Sequence, residues 1–232
     1  MTTRELARKI GALEVIRVSK TNSSKQPFDF LFVIDFEATC WESADRKTKC
    51  PEIIEFPAVL YDVKNGEIVD EFQEYVMPTE NPKLSDFCTQ LTGIQQNQVD
   101  TGVPLSTCLF LFMKWVNEKK KLYGMEFPNS DDKAEKTCAF ATWSDWDLGI
   151  CFKNECNRKR LTYAKIFRKW IDIRHLYKFY FKKPFNGLSG ALSELGLTFE
   201  GKEHCGLHDA RNTAKLVGRM IDNGAILQLT RC

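Results

Sequence analysis

Two acidic residues, Asp35 and Glu37, close a run otherwise made of Phe30, Leu31, Phe32, Val33, Ile34 and Phe36. Alternation along an extended strand puts both carboxylates on one face. Side by side in apolar surroundings they repel and lose hydration, so one should take up a proton unless something compensates. A divalent cation would compensate; so would a strand end that runs into solvent. Asp147 follows a second apolar stretch, CAFATWSDW, where a helix pattern starts and a carboxylate also makes a good N-cap. Asp145 competes with it for any chemical role. Near the C-terminus, His204 and His208 precede Asp209 in the segment HCGLHD, and Asp209 opens an amphipathic pattern where capping is again the simpler role. Taken together, four acids at the edges of regular elements, with a histidine five residues before the last, are hard oxygen donors. Such donors suit Mg²⁺ or Mn²⁺ and not Zn²⁺. Two such ions ~3.5–4 Å apart clamp the attacking and leaving oxygens of a phosphodiester.

The elements that must carry these residues are readable from hydropathy. Residues 28–39 form a dense β-branched and aromatic run that predicts a buried strand. Residues 53–63 predict a second strand, Asn65-Gly66 a hairpin turn, and residues 67–78 a third, antiparallel strand. A short helix capped by Ser85 is expected over 84–91, and a longer one over 101–120. Residues 123–137 read as a polar loop, 138–147 as a fourth strand and 148–160 as a helix with a basic end. Residues 170–181 begin as a strand, 188–197 form a short helix, and 208–225 an amphipathic helix ended by Gly224. This order predicts an α/β fold with a central mixed β-sheet, its first three strands antiparallel, flanked by helices. The expected organisation is an N-terminal arm over 1–27 and one domain over 28–232.

Composition narrows the classes. The chain has 232 residues, 33 Lys+Arg against 31 Asp+Glu, a formal net charge of +2 and 43% hydrophobic residues. That balance excludes a globally basic nucleic-acid coat but not a locally basic face. No apolar run approaches the ~18–20 residues that span a bilayer, and the charged start lacks a signal-peptide core. The nine cysteines are widely spaced with no C-x-x-C, which predicts free thiols in a reducing compartment, cytoplasm or nucleus. Between 153 and 183, basic residues including Arg158, Lys159, Arg160, Arg168 and Lys183 alternate with Tyr163, Phe167, Tyr177 and Tyr180. This cluster reads as a phosphate-tracking face with stacking platforms, or as a solvated helix end with core aromatics.

VIDFEATCWE, EIIEFPAVL, TWSDWD and HCGLHDARN together resemble the DEDDh subgroup of 3′→5′ exonucleases. With SDFCTQLTGI added, the chain looks closest to the ERI exoribonuclease family, over roughly residues 28–227. The resemblance implies an RNase H-like fold and makes Asp35, Glu37, Asp147 and Asp209 the metal-binding quartet for two Mg²⁺ ions, with Mn²⁺ as a substitute. It selects Asp147 over Asp145 because the motif ends in an aromatic residue followed by Asp, here Trp146-Asp147. It selects His204 over His208 by the five-residue offset, although His208 stands where close relatives carry a second Asp. His204 is then the general base, since a histidine changes charge near neutral pH, and Glu37 also orients the water. Phe36, Ala38, Thr39 and Trp146 are expected beside the terminal nucleotide, together with Glu37 and His204. The implied activity is hydrolysis of single-stranded RNA or RNA 3′ overhangs to nucleoside 5′-monophosphates. The alternatives are a DEDDh exonuclease on single-stranded DNA and a nucleic-acid-binding protein with weak catalysis. No membrane is implied, and the sequence names no protein partner.

Overall fold

In this computed structural model, residues 26–42, 49–128, 134–182 and 185–230 are described. The expected arm over 1–27 therefore lies outside them except for its last two residues. There Gln26 is fixed by the C-terminal segment: its side chain donates to the Ala225 carbonyl and accepts from Leu227 N–H, both at 2.9 Å.

The sheet grows from β1 (Phe30–Ile34), whose residues are buried without exception. Burial on both faces explains why the run reads as continuously apolar. Phe30, Phe32 and Ile34 enter one core, while Leu31 and Val33 enter the other. β1 pairs antiparallel with β3 (Ile53–Asp62), which pairs antiparallel with β4 (Glu67–Tyr75). The other edge of β1 runs parallel to β6 (Lys136–Thr142), and β6 runs parallel to β5 (Met125–Glu126) and β7 (Trp170–Asp172). The expected mixed sheet with an antiparallel start is what forms.

The strand expected over 28–39 is interrupted. After Ile34, paired with Ala58, the chain leaves the ladder and rejoins it as β2 (Glu37–Ala38), where Glu37 faces Glu55 on β3. The register shifts between Glu37 and Ala38. Asp35 and Phe36 thus sit in a break in the middle of the domain, and sequence alternation alone could not locate that break.

One face of the sheet is covered by α3 (Leu105–Tyr123), which turns Leu105, Cys108, Leu109, Phe112 and Val116 inward at helical spacing. Here aromatic rings interlock: Phe56 lies 4.8 Å from Phe112, and Phe140 4.9 Å from Phe167. The other face is covered by α7 (Gly206–Asp222), through the small residues Ala210 and Ala214 and by Val217 and Ile221. Close approach is built in: a Cβ on Gly218 would meet the Tyr61 hydroxyl at 2.3 Å.

The remaining helices are α1 (Asp86–Thr92), α2 (Gln96–Asp100), α4 (Lys153–Arg158), α5 (Ile173–Phe181) and α6 (Gly187–Glu194). Ser85 caps α1 as expected, accepting from Cys88 N–H at 3.0 Å. α2 and β5 fall where no element or a polar loop was expected. The helix expected from 148 begins instead as a wide π turn over Trp146–Phe152 before narrowing into α4; such turns often mark functional sites.

Candidate active site

A cleft of about 770 Å³ opens where the break after β1, the turn after β6 and the start of α7 meet. Asp35, Glu37, Asp147, His204 and Asp209 line it together, and Phe36, Ala38, Thr39 and Trp146 line it too. Every residue expected at the site is therefore brought to one cavity, while Asp145 and His208 are not among its lining residues.

Each side chain is held by a different local device. Asp147 lies in the first π turn, is buried, and accepts the Phe36 N–H at 2.9 Å across the break in the strand. It is not the helix N-cap; Asp145 occupies that place. Asp209 is likewise no cap. It sits within the first turn of α7, its own N–H bonded to the Cys205 carbonyl, while the backbone N–H of His204 pulls its carboxyl down. His204 adopts a φ of 60°, a left-handed conformation uncommon for a residue with a side chain. His208 instead turns back, its Nδ1 accepting Lys202 N–H at 3.0 Å.

The nucleotide-facing set divides. Phe36 is buried and packs 4.5 Å from Phe56, so it is a core aromatic whose edge borders the cleft. Ala38 is buried, and the Thr39 hydroxyl accepts Glu52 N–H at 2.9 Å. Trp146 is 37% exposed at the rim.

The electrostatics follow from crowding. Burial pushes the Asp35 carboxyl well above its usual range, reinforced by Asp147, Asp209 and Glu37. Burial, then Asp209 and Glu55, push Glu37 up to about 9. Burial pushes Asp147 and Asp209 each up to about 7, against the pull of their backbone N–H donors. Lys49, held 5.2 Å over the Trp41 ring, and His204 are the basic residues among the cleft's described lining. Among the described residues, no group of three or more His, Cys, Asp or Glu is already drawn in closely enough to hold a metal ion. The donor chemistry nonetheless fits a hard divalent cation: four carboxyls pushed above their usual range share one cleft.

Sequence reasoning missed Glu55. It is buried in β3 opposite Glu37, accepts Gln73 Nε2 at 2.7 Å, and burial raises its carboxyl above the usual range. The signal was present: an acid inside a strand otherwise buried on both faces. The basic cluster, by contrast, does not border the cleft among the described residues. Arg158 pairs with Glu80, Lys159 with Glu52 and Glu155, and Phe167 and Tyr177 are buried in the two cores. The stacking-platform reading is corrected for those aromatics; Lys183 lies outside the described residues.

The exonuclease family model RNase_T matches residues 32–217. The chain is 48% identical to ERI1 exoribonuclease 2 of Xenopus laevis, over all of this chain and 35% of that protein. It is 44% identical to the 3′-5′ exonuclease Snipper of Drosophila melanogaster, over 89% of this chain and 74% of that one. The nuclease domain of 3′hExo, a DEDDh family member solved bound to rAMP, superposes with a TM-score of 0.76 at 36% identity, covering 88% of this chain and 97% of that domain. The chain thus spans about a third of the length of the first curated relatives it matches. The match along 32–217, the mixed sheet and the acids gathered at its centre agree: the chain belongs to the RNase_T exonuclease family, among its DEDDh members and beside the ERI exoribonucleases.

Proposed function

We propose that the cleft is the active site of a metal-dependent 3′→5′ exoribonuclease that shortens single-stranded RNA or RNA 3′ overhangs to nucleoside 5′-monophosphates. The observation that carries this reading is the convergence of Asp35, Glu37, Asp147 and Asp209 with His204 on one cleft. Asp35, Glu37, Asp147 and Asp209 would hold two Mg²⁺ ions, for which Mn²⁺ could substitute. When bound, such ions supply charge to activate a water and to stabilise the departing 3′ oxygen.

The chain's own residues do the rest. His204 takes the proton of the attacking water, and Glu37 orients that water. Ala38 leaves room for the terminal sugar, while Phe36, Thr39 and the rim Trp146 border the terminal nucleotide. The rAMP held by 3′hExo supports a ribonucleotide as occupant. Cytoplasm or nucleus suits the eight described cysteines, none of which forms a disulfide. No helix among the described residues is long and apolar enough to cross a membrane.

The test is degradation of labelled single-stranded, stem-loop and duplex RNA and DNA, with Mg²⁺ or with EDTA, and identification of the products. RNA should shorten from its 3′ end in Mg²⁺ alone, releasing 5′-monophosphates. Cleavage of DNA alone would reassign the substrate, and binding without any cleavage would overturn the reading.

A further inference from the structure

We infer that Glu55 is a positioning residue that fixes the start of α7, and through it His204 and Asp209, against the strand carrying Asp35 and Glu37. This rests on the cleft being the nuclease site.

The argument begins with the helix end. An α-helix leaves its first amides without partners inside the helix, and a side chain at the N-cap usually satisfies one. Cys205, the N-cap of α7, makes no such bond. The acceptor comes instead from a strand 151 positions away: Glu55 Oε2 takes the Gly206 N–H at 3.1 Å, and the neighbouring Leu207 N–H pulls the same carboxyl down against the effect of burial. The other oxygen is occupied by Gln73 Nε2, so the carboxylate is held from both sides.

The joint is tight. A Cβ on Gly206 would lie 2.5 Å from the Asp35 carbonyl and 2.8 Å from Pro57. The start of α7 therefore rests directly on the break that exposes Asp35, with Glu55 as the hydrogen-bonding pin. Asp209 is one helical turn beyond Gly206, and His204 is two residues before it. A helix start that drifts by an ångström would carry both side chains away from Asp35 and Glu37.

The role needs an acceptor oxygen at a given place, and not a negative charge. That separates two variants. Glu55→Gln keeps an oxygen for the α7 amides and can meet Gln73 with its NH₂ if that amide turns over. Glu55→Asp keeps the charge but withdraws the oxygens by one methylene.

The experiment uses the full chain, with folding followed by circular dichroism, RNA cleavage as kcat and KM, and Mn²⁺ affinity by calorimetry. Glu55→Asp should fold, lose about 10- to 100-fold in kcat with little change in KM, and bind Mn²⁺ more weakly, the scale known for residues that orient metal ligands. Glu55→Gln should recover most of both. The reverse order, a slow Gln variant and a fast Asp variant, overturns the inference in favour of a charge role. Equal, wild-type kcat and Mn²⁺ affinity in both variants overturns it in favour of a purely structural acid. The nuclease reading is judged separately, by whether the wild type cleaves and Asp35→Asn does not.

Discussion

Asp147 Oδ1 accepts the backbone N–H of Phe36 at 2.9 Å, joining the turn after β6 to the break between β1 and β2. One carboxylate oxygen is thereby used to set the backbone beside Asp35 and Glu37, at a residue that also lines the cleft. Asp147→Asn retains an acceptor oxygen, so the fold should persist while the charge is lost. RNA cleavage should fall about 100-fold or more, the scale of transition-state charge stabilisation by a bound metal, with RNA binding largely kept. Asp145→Asn, outside the cleft lining, should cleave normally. An inactive Asp145→Asn beside an active Asp147→Asn would show that the motif is displaced.

The two histidines of the α7 approach have opposite environments. His204 lines the cleft in a left-handed conformation, whereas His208 Nδ1 accepts the Lys202 amide. His204→Ala should cost rate, by the 10²- to 10⁴-fold typical of a general base, with little loss of melting temperature. His208→Ala should do the reverse, costing about 1 kcal/mol for the lost hydrogen bond and little rate. Initial rates and thermal melts of both variants decide it; equal rate losses would reject His204 as the base.

What could be read before the fold was known depended on whether the signal was local. β1 and α7 announce themselves because their burial imposes a pattern on neighbouring residues, and Asp35, Glu37, Asp147 and Asp209 stand out as acids at the ends of such patterns. The break at Asp35-Phe36 was not legible, since it is imposed by pairing with β3 and by Asp147, distant in sequence. α2 was missed because Gln96, Asn97 and Gln98 are polar and carry no periodicity; only Val99 is buried. The basic cluster misled for the same reason. Nothing near Lys159 reveals that Glu52 awaits it, or near Arg158 that Glu80 does.

Lys159 makes a strong test of that correction. It lies 2.8 Å from Glu52 and 2.6 Å from Glu155, two buried acids that also accept the backbone amides of Thr79, Asn81 and Ile53. Removing the cation strands two buried charges. Lys159→Ala should therefore destabilise by about 3 kcal/mol, whereas an exposed lysine such as Lys153 should cost almost nothing when removed. A chemical-denaturation series measures both. If Lys159 is instead a phosphate contact, the variant would melt normally and lose RNA affinity with a shallower salt dependence.

The crowding of acids gives a pH signature whose sign is fixed. Unfolded Asp and Glu titrate near 3.9 and 4.3, but in the folded chain Glu37 is pushed up to about 9 and Asp147 and Asp209 to about 7. Between those limits the folded state binds more protons than the unfolded state. Stability of the metal-free protein is then fullest below about pH 4 as far as these groups are concerned, and declines as pH rises through 7 towards 9. A divalent cation replaces the protons as the compensating charge, so Mg²⁺ should stabilise little at pH 5 and increasingly at pH 8. Thermal melts from pH 5 to 8.5, in EDTA and in Mg²⁺, should give curves that diverge with rising pH. Asp35→Asn combined with Asp209→Asn should flatten the EDTA curve and remove the Mg²⁺ effect. Parallel curves would mean that these carboxylates neither share a field nor bind the ion, and the metal-dependent reading of the cleft would fall with them.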